Sequence, residues 1–257
     1  MSAFPETWRN DLLGALTFLT RLPLRRASGE EPVATSLAGA SWAFPLVGVM
    51  IGGIGGIVYV GALGIGLPAL AAALIAVGAT ALVTGGLHED GLADTADGLG
   101  GGSTREEKLT IMRDSRTGVY GVLALVFSVA LRVVALGQIA QGWRVLGALI
   151  AAHALARGLL PIALRFMAPA RSDGLGATAG RPEQGVVLWS CGIAILAALL
   201  GAGIRPGLSA TIAASAVAAG IAWFARRQIG GYTGDVLGAI EQGGEVAALL
   251  AVAAWLP

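Results

Sequence analysis

Seven stretches of this chain are apolar for about the length that crosses a bilayer, and this limits every fold it can adopt. They cover residues 37–63, 68–87, 119–139, 145–166, 186–204, 208–225 and 236–256. A helix needs roughly 20 apolar residues to span the hydrocarbon core. The runs are continuous and lack the alternation of a lipid-facing strand, which excludes a β-barrel. Charged residues make up 13% of the chain and mean hydropathy is +0.75, whereas a soluble domain carries about 25% charge. The expectation is an all-α, polytopic membrane bundle of about seven spans, with residues 1–257 forming a single domain in the lipid bilayer. Gly48, Gly52 and Gly56 recur every four residues in the first stretch, a ridge suited to close helix packing. Glu241 and Glu245 interrupt the last stretch and predict a break or a late insertion there.

Ahead of the spans, residues 7–22 read as an amphipathic helix on the membrane surface. Leu12, Leu13, Leu16 and Leu19 share a face, and Pro23 is the expected stop. A charged loop, 24–35, follows. Residues 1–26 carry Glu6, Arg9, Asp11 and Arg21 with no long apolar core, so no cleavable signal is expected. Cys191 is the only cysteine, so no internal disulfide can form. A net charge of +1 gives no reason to expect a nucleic-acid partner. With the N-terminus in the cytoplasm, Arg105, Lys108, Arg113, Arg116, Arg165, Arg171, Arg181, Arg226 and Arg227 fall on the cytoplasmic side. The outer loops keep only Arg144 and Arg205. That asymmetry predicts chemistry facing the cytoplasm, centred on a loop at 88–117.

Directly after the second stretch, His88, Glu89, Asp90, Asp94 and Asp97 place one imidazole and four carboxylates within ten residues. Asp90, Asp94 and Asp97 stand at i, i+4 and i+7 and would share one helical stripe. Like charges so placed repel each other without a cation. Oxygen ligands favour Mg²⁺, Mn²⁺ or Ca²⁺, and a hard cation held by carboxylates commonly handles phosphate. Glu89 and His88 stand beside the stripe as support or base. A solvated acidic helix end is the plain alternative. The glycine run 98–102 reads either as a phosphate cradle or as a hinge.

Other candidates lie further along. Residues 105–116 read as a helix carrying Leu109 and Met112 on one side. Arg113, Asp114, Ser115 and Arg116 end it, and paired arginines suit a pyrophosphate; a basic anchor at a span's mouth is the competing reading. Thr233 and Asp235 lie in a glycine-lined turn before the last stretch. Asp235 could complete a metal site, orient a nucleophile or sit at a helix start. Arg132, His153 and Arg157 lie within spans, where ionisable groups face a cavity or a partner. Arg157, nearer the cytoplasmic end, is a candidate for an anionic substrate.

The run Gly85-Gly-Leu-His-Glu-Asp-Gly-Leu-Ala-Asp-Thr-Ala-Asp-Gly98 resembles the signature of the cobalamin synthase family, the adenosylcobinamide-GDP ribazoletransferases. Phe18-Leu-Thr-Arg-Leu-Pro23, Phe44-Pro-Leu-Val-Gly48, Met112-Arg-Asp-Ser-Arg-Thr-Gly-Val-Tyr-Gly-Val-Leu-Ala124 and Thr233-Gly-Asp-Val-Leu-Gly-Ala239 resemble its other motifs, in its order. The resemblance implies a magnesium-dependent, membrane-bound transferase of late vitamin B12 synthesis, in the bacterial inner membrane. Its small-molecule substrates would be adenosylcobinamide-GDP and α-ribazole or its 5′-phosphate, and GMP would be released. It implies Glu89, Asp90, Asp94 and Asp97 as magnesium ligands and His88 or Asp235 as base. Arg113, Asp114, Ser115, Arg116, Arg157 and Thr233 would bind substrate. Homo-oligomerisation is left open. Asp94-x-x-Asp97-Gly98 also copies the opening of the CDP-alcohol phosphotransferase motif, but Gly101 and Gly102 stand where that motif requires Ala and Arg. A cation or solute transporter would need charges through the bilayer and an acidic site outside, and the outer loops carry almost none.

Overall fold

The computed structural model describes residues 6–23, 36–174 and 178–255; the charged loop 24–35 lies outside them. The helices are α1 (Glu6–Leu19), α2 (Leu37–Ala40), α3 (Phe44–Gly64), α4 (Ala69–Thr84), α5 (Leu87–Gly101) and α6 (Arg105–Ile111). They continue as α7 (Val119–Ile139), α8 (Gly142–Gly158), α9 (Leu160–Phe166), α10 (Gln184–Ala202), α11 (Ile204–Ile229) and α12 (Gly234–Ala253). The described residues contain no strand, only a single bridge between Pro169 and Tyr232.

Among the described residues, six segments are long and apolar enough to cross a membrane: Leu37–Gly64, Val119–Ile139, Gly142–Phe166, Gln184–Ala202, Ile204–Ile229 and Gly234–Ala253. The remaining predicted span is α4, which meets α5 at a 92° bend. Gly85 and Gly86 form that corner at φ +68° and +70°. Two successive left-handed residues are tolerated only by glycine. The acidic segment therefore turns away from the line of α4 and forms a separate helix, and the bent pair passes together as span-length apolar chain.

α8 and α12 are the interior helices, and α10 and α11 turn most of their surface outward. The glycine ridge of α3 packs on α8, as its spacing predicts. A Cβ at Gly48 or Gly52 would overlap the backbone carbonyls of His153 and Leu149, and one at Gly56 would meet Leu146. This backbone-to-backbone approach is how helices associate in lipid, where apolar burial gives little drive. α1 ends at Leu19, before Pro23, and buries Ala15 and Leu19 beside Phe44 and Val47. The Trp42 indole N–H donates to Asp11 at 3.0 Å.

The expected break at Glu241 and Glu245 does not occur. α12 runs unbroken through both, and both are fully buried with arginine partners. An ionised side chain is tolerated at depth when a counter-ion is supplied from a neighbouring helix.

The ridge makes a direct prediction. Gly52→Ala forces α3 from α8 and should cost about 1–3 kcal/mol, read as a lower melting temperature in detergent. Gly53→Ala, whose added methyl meets nothing within 4 Å, should leave stability unchanged or raise it. Equal effects of the two would contradict the packing.

Candidate active site

The acidic stripe forms as its spacing predicts. α5 starts at the left-handed Gly86, with Glu89 and Asp90 in its first turn, where the helix dipole favours negative charge. Along it Asp90 is exposed, Asp94 half-buried and Asp97 buried. Asp97 is turned to the start of α7. Its Oδ2 accepts the Gly118 N–H at 2.6 Å and its Oδ1 accepts the Gly121 N–H at 2.9 Å. A side chain at either glycine would run into this carboxylate. The third aspartate and the Thr-Gly-Val-Tyr-Gly segment thus act as one structural unit. Gly98 to Gly101 continue α5 instead of cradling phosphate: Gly98 admits Met112 and Gly100 admits the Tyr120 ring.

The last motif delivers Asp235 to the same place. Gly231 packs so close to Ala168 that a Cβ would strike its carbonyl. That contact lets the Tyr232 N–H reach the Ala168 carbonyl at 2.9 Å and the Ala170 N–H reach the Tyr232 carbonyl at 2.8 Å. Arg105 ties the arrangement together by donating to the carbonyls of Ile229 and Ala170. Thr233 caps α12, its hydroxyl oxygen accepting the Val236 N–H at 3.2 Å, and it donates to Asp235 Oδ2 at 3.1 Å. Asp235 therefore occupies the first turn, with Thr233 as the cap. α5 and α12 cross at two glycines: a Cβ on Gly91 would lie 2.8 Å from the Asp235 carbonyl and 3.1 Å from Gly238 Cα.

The bridge also sets Arg171 beside this pair, 3.5 Å from Asp235 Oδ2. Its Nη1 is buried without a hydrogen-bond partner. Sequence reasoning placed Arg171 only in a basic loop, because an irregular segment has no periodicity to mark which side chain turns inward.

Beneath α5 lies a buried ionic network that was only half legible in the sequence. Arg132 on α7 contacts Glu245 on α12 at 3.1 Å and Glu89 on α5 at 3.3 Å. Arg157 on α8 pairs with Glu241 at 2.5 Å and lies 3.5 Å from His88 Nδ1. His153 is 3.0 Å from Glu245. The Gln242 amide donates to Glu89 and Glu241 and accepts from the Ser128 hydroxyl. Arg157 is thus committed to Glu241 within the bundle, and Glu89 faces inward. Among the described residues, the one trio of ligand-type side chains with donor atoms within 4.8 Å of one another is His153, Glu241 and Glu245. Two guanidinium groups already neutralise it, so a divalent cation there would stand against two buried positive charges.

The outer arginines are spent differently. Arg113 pairs with both oxygens of Asp173 at 2.7 Å. Arg116 grips Asp114, and its side chain and backbone N–H groups hold that carboxyl down to about 2. Ser115 is exposed. The predicted helix over 105–116 stops at Ile111, with Leu109 and Met112 buried as expected.

Partial burial pushes the Asp94 carboxyl up to about 7, helped by the charges of Asp90, Asp235 and Asp97 and opposed by Arg171. Four carboxylates and one arginine therefore share one field. A cavity of about 250 Å³ opens on it, with Asp90, Asp235, Arg171 and His88 along its polar side. A second, of about 580 Å³, adjoins it at Leu164 and is lined by Arg165, Arg181 and Arg226.

This arrangement defines a polytopic helical membrane protein with a carboxylate and arginine centre at one end of its bundle. The chain belongs to the cobalamin-5-phosphate synthase family, whose sequence model matches residues 11–253. It is 48% identical over 253 residues to a protein of Bradyrhizobium diazoefficiens named adenosylcobinamide-GDP ribazoletransferase, covering 97% of this chain and 96% of that one. Relatives of the same name from Azorhizobium caulinodans (44% identity, 94% of each chain) and Mesorhizobium japonicum (42%, 96% of this chain and 93% of the other) match similarly. No solved structure matches.

The field at Asp94 sets a pH dependence. The folded chain keeps a proton on Asp94 that an unfolded chain, at the ordinary value of 3.8, releases. The stability this group contributes at low pH is lost as pH rises toward 7. In cation-free protein the melting temperature should fall between about pH 4 and about pH 7 and level off above that. Asp94→Asn should flatten the slope; an unchanged slope in that variant would contradict the assignment.

Proposed function

We propose that this protein is an adenosylcobinamide-GDP ribazoletransferase acting at the mouth formed by α5, α12 and the Arg171 loop. The observation that carries the reading is that Asp90, Asp235 and Arg171 line one cavity, with Asp94 in their shared electrostatic field. It occurs in a chain whose relatives are named for this transfer. A ribose hydroxyl of α-ribazole, or of its 5′-phosphate, attacks the phosphorus nearer cobinamide. A new P–O bond forms, the bond to the GMP oxygen breaks, and GMP leaves. The hydroxyl proton passes to a carboxylate. The products are adenosylcobalamin, or its 5′-phosphate, and GMP.

The donor set suits a hard cation, because crowded carboxylates raise one another's proton affinity and a cation relieves that. Asp90 and Asp94 would hold magnesium, which when bound offsets charge on the transferring phosphoryl group. Asp97 fixes the stripe by anchoring α5 to α7. Asp235, held by Thr233 and Arg171, orients the attacking hydroxyl and takes its proton. Arg171 offers its free N–H groups to a phosphate oxygen. The arginine-lined cavity receives the diphosphate-bearing reactant. His88 is buried against Glu241 and Arg157 and sets the cavity wall. The site faces the cytoplasm of a bacterial inner membrane, in keeping with the distribution of lysine and arginine.

The test is incubation of purified protein with magnesium, adenosylcobinamide-GDP and α-ribazole, reading joined corrinoid and GMP. Asp94→Asn should lower turnover by at least about 10²-fold, the scale of losing a principal electrostatic contact, while melting near the wild-type temperature. Near-normal turnover of that variant, or release of CMP from a CDP-alcohol in place of GMP, would overturn the reading.

A further inference from the structure

A groove of about 450 Å³ lies between α9 and α11. One wall runs from Leu159 to Met167 along α9, the other from Ser215 to Arg226 along α11. Both walls belong to segments long and apolar enough to cross a membrane. Ser215, Ala219 and Trp223 are exposed, so the groove opens on the side that lipid would cover. Of the residues lining it, Arg226 alone is charged.

Arg226 also lines the arginine-lined cavity, and the two spaces meet at Phe166, Met167 and Arg226. No acidic residue lines either space. Arg165 donates to the Pro182 carbonyl at 2.7 Å, and Arg181 donates to the Arg165 carbonyl at 2.9 Å. Arg226 has no hydrogen-bond or ion-pair partner among the described residues. Arg227 lies 5.2 Å from the centre of the Trp223 ring, which adds positive charge beside it.

Depth and length narrow the occupant. A tryptophan at the end of a span sits at the headgroup level, and Arg226 stands almost one turn beyond Trp223, where lipid phosphates lie. From Arg226 back to Ser215 the wall is about 16 Å long at ~1.5 Å per residue. One leaflet is roughly 15 Å of hydrocarbon, half of a core of about 30 Å. The groove therefore has the length of a single acyl chain, with a cation at its headgroup end.

We propose that this groove binds one anionic phospholipid, with an acyl chain between α9 and α11 and its phosphate on Arg226. A guanidinium without a partner is the complement of a phosphate. A zwitterionic headgroup offers the same phosphate but brings a cation toward arginines that already repel one. An anionic headgroup does not, and the site favours it. Bound there, the lipid closes the arginine-lined cavity on its membrane side. The proposal does not depend on the transferase reading.

The test is purified protein in neutral detergent titrated with phosphatidylglycerol or phosphatidylcholine, with retained lipid counted by native mass spectrometry. Wild-type protein should retain one phosphatidylglycerol and bind phosphatidylcholine about fivefold more weakly or worse, the scale of one charge at a lipid surface. Arg226→Gln should weaken phosphatidylglycerol binding by a similar factor. Ala219→Trp fills the groove, keeps every arginine, and should lose the lipid as well. Arg226 and Ala219 are both exposed, so neither variant disturbs the packing. Arg144→Gln, in the first turn of α8 at the other end of that span, should bind as wild type does. The proposal is overturned if phosphatidylcholine binds equally well, if either groove variant keeps wild-type affinity, or if Arg144→Gln loses as much. GMP release plays no part in this readout, so failure of the transferase reading leaves the test intact.

Discussion

The structure depends on pairing charge inside a membrane bundle. Arg132 and Arg157 are buried at the level of α7 and α8, and each would cost several kcal/mol if left unpaired. Their partners Glu241 and Glu245 come from α12, and Glu89 comes from α5. Four helices are thereby joined by contacts with defined geometry. This matters most for α5, which turns from α4 at a 92° corner and buries mainly small and polar residues. Its inward side chains, His88 and Glu89, meet the network, and its outward aspartates are held at the mouth as a result. The network is the foundation of the site, and the stripe is its working surface.

Close backbone contact completes that placement. α3 rides on α8 through glycines, which sets His153 and Arg157 in register with α12. α5 rides on α12 at Gly91 and Gly238, which sets Asp90 and Asp94 opposite Asp235. Replacing any of these glycines separates helices whose side chains must meet within hydrogen-bond distance. The motif glycines and the motif acids are parts of one device: the first bring the backbones together, and the second use the proximity.

Some of this was legible in the sequence, for identifiable reasons. Long apolar runs, the four-residue glycine spacing and the i, i+4, i+7 aspartates are periodic, and periodicity survives folding. The stripe, the α3 ridge and the helical bundle were readable on that basis. Glu241 and Glu245 were misread as a break because hydropathy scores a residue alone, while their counter-ions lie on α7 and α8, about a hundred residues away. The corner at Gly85 and Gly86 was hidden inside an apolar run that looked continuous. Arg171 escaped notice because its position depends on a two-residue bridge to the Tyr232 turn. Asp97 shows the opposite case: its place on the stripe was clear, but its hydrogen bonds to Gly118 and Gly121 required the fold.

The central claim is that the carboxylates at the mouth, and not the buried His153, Glu241 and Glu245 trio, bind the divalent cation. Manganese binding followed by electron paramagnetic resonance separates the two most directly. Wild-type protein and Glu245→Gln should both retain a tightly bound ion, and the Asp90→Asn, Asp94→Asn double variant should lose it while remaining folded. Retention by the double variant together with loss in Glu245→Gln would place the ion inside the bundle and contradict the account.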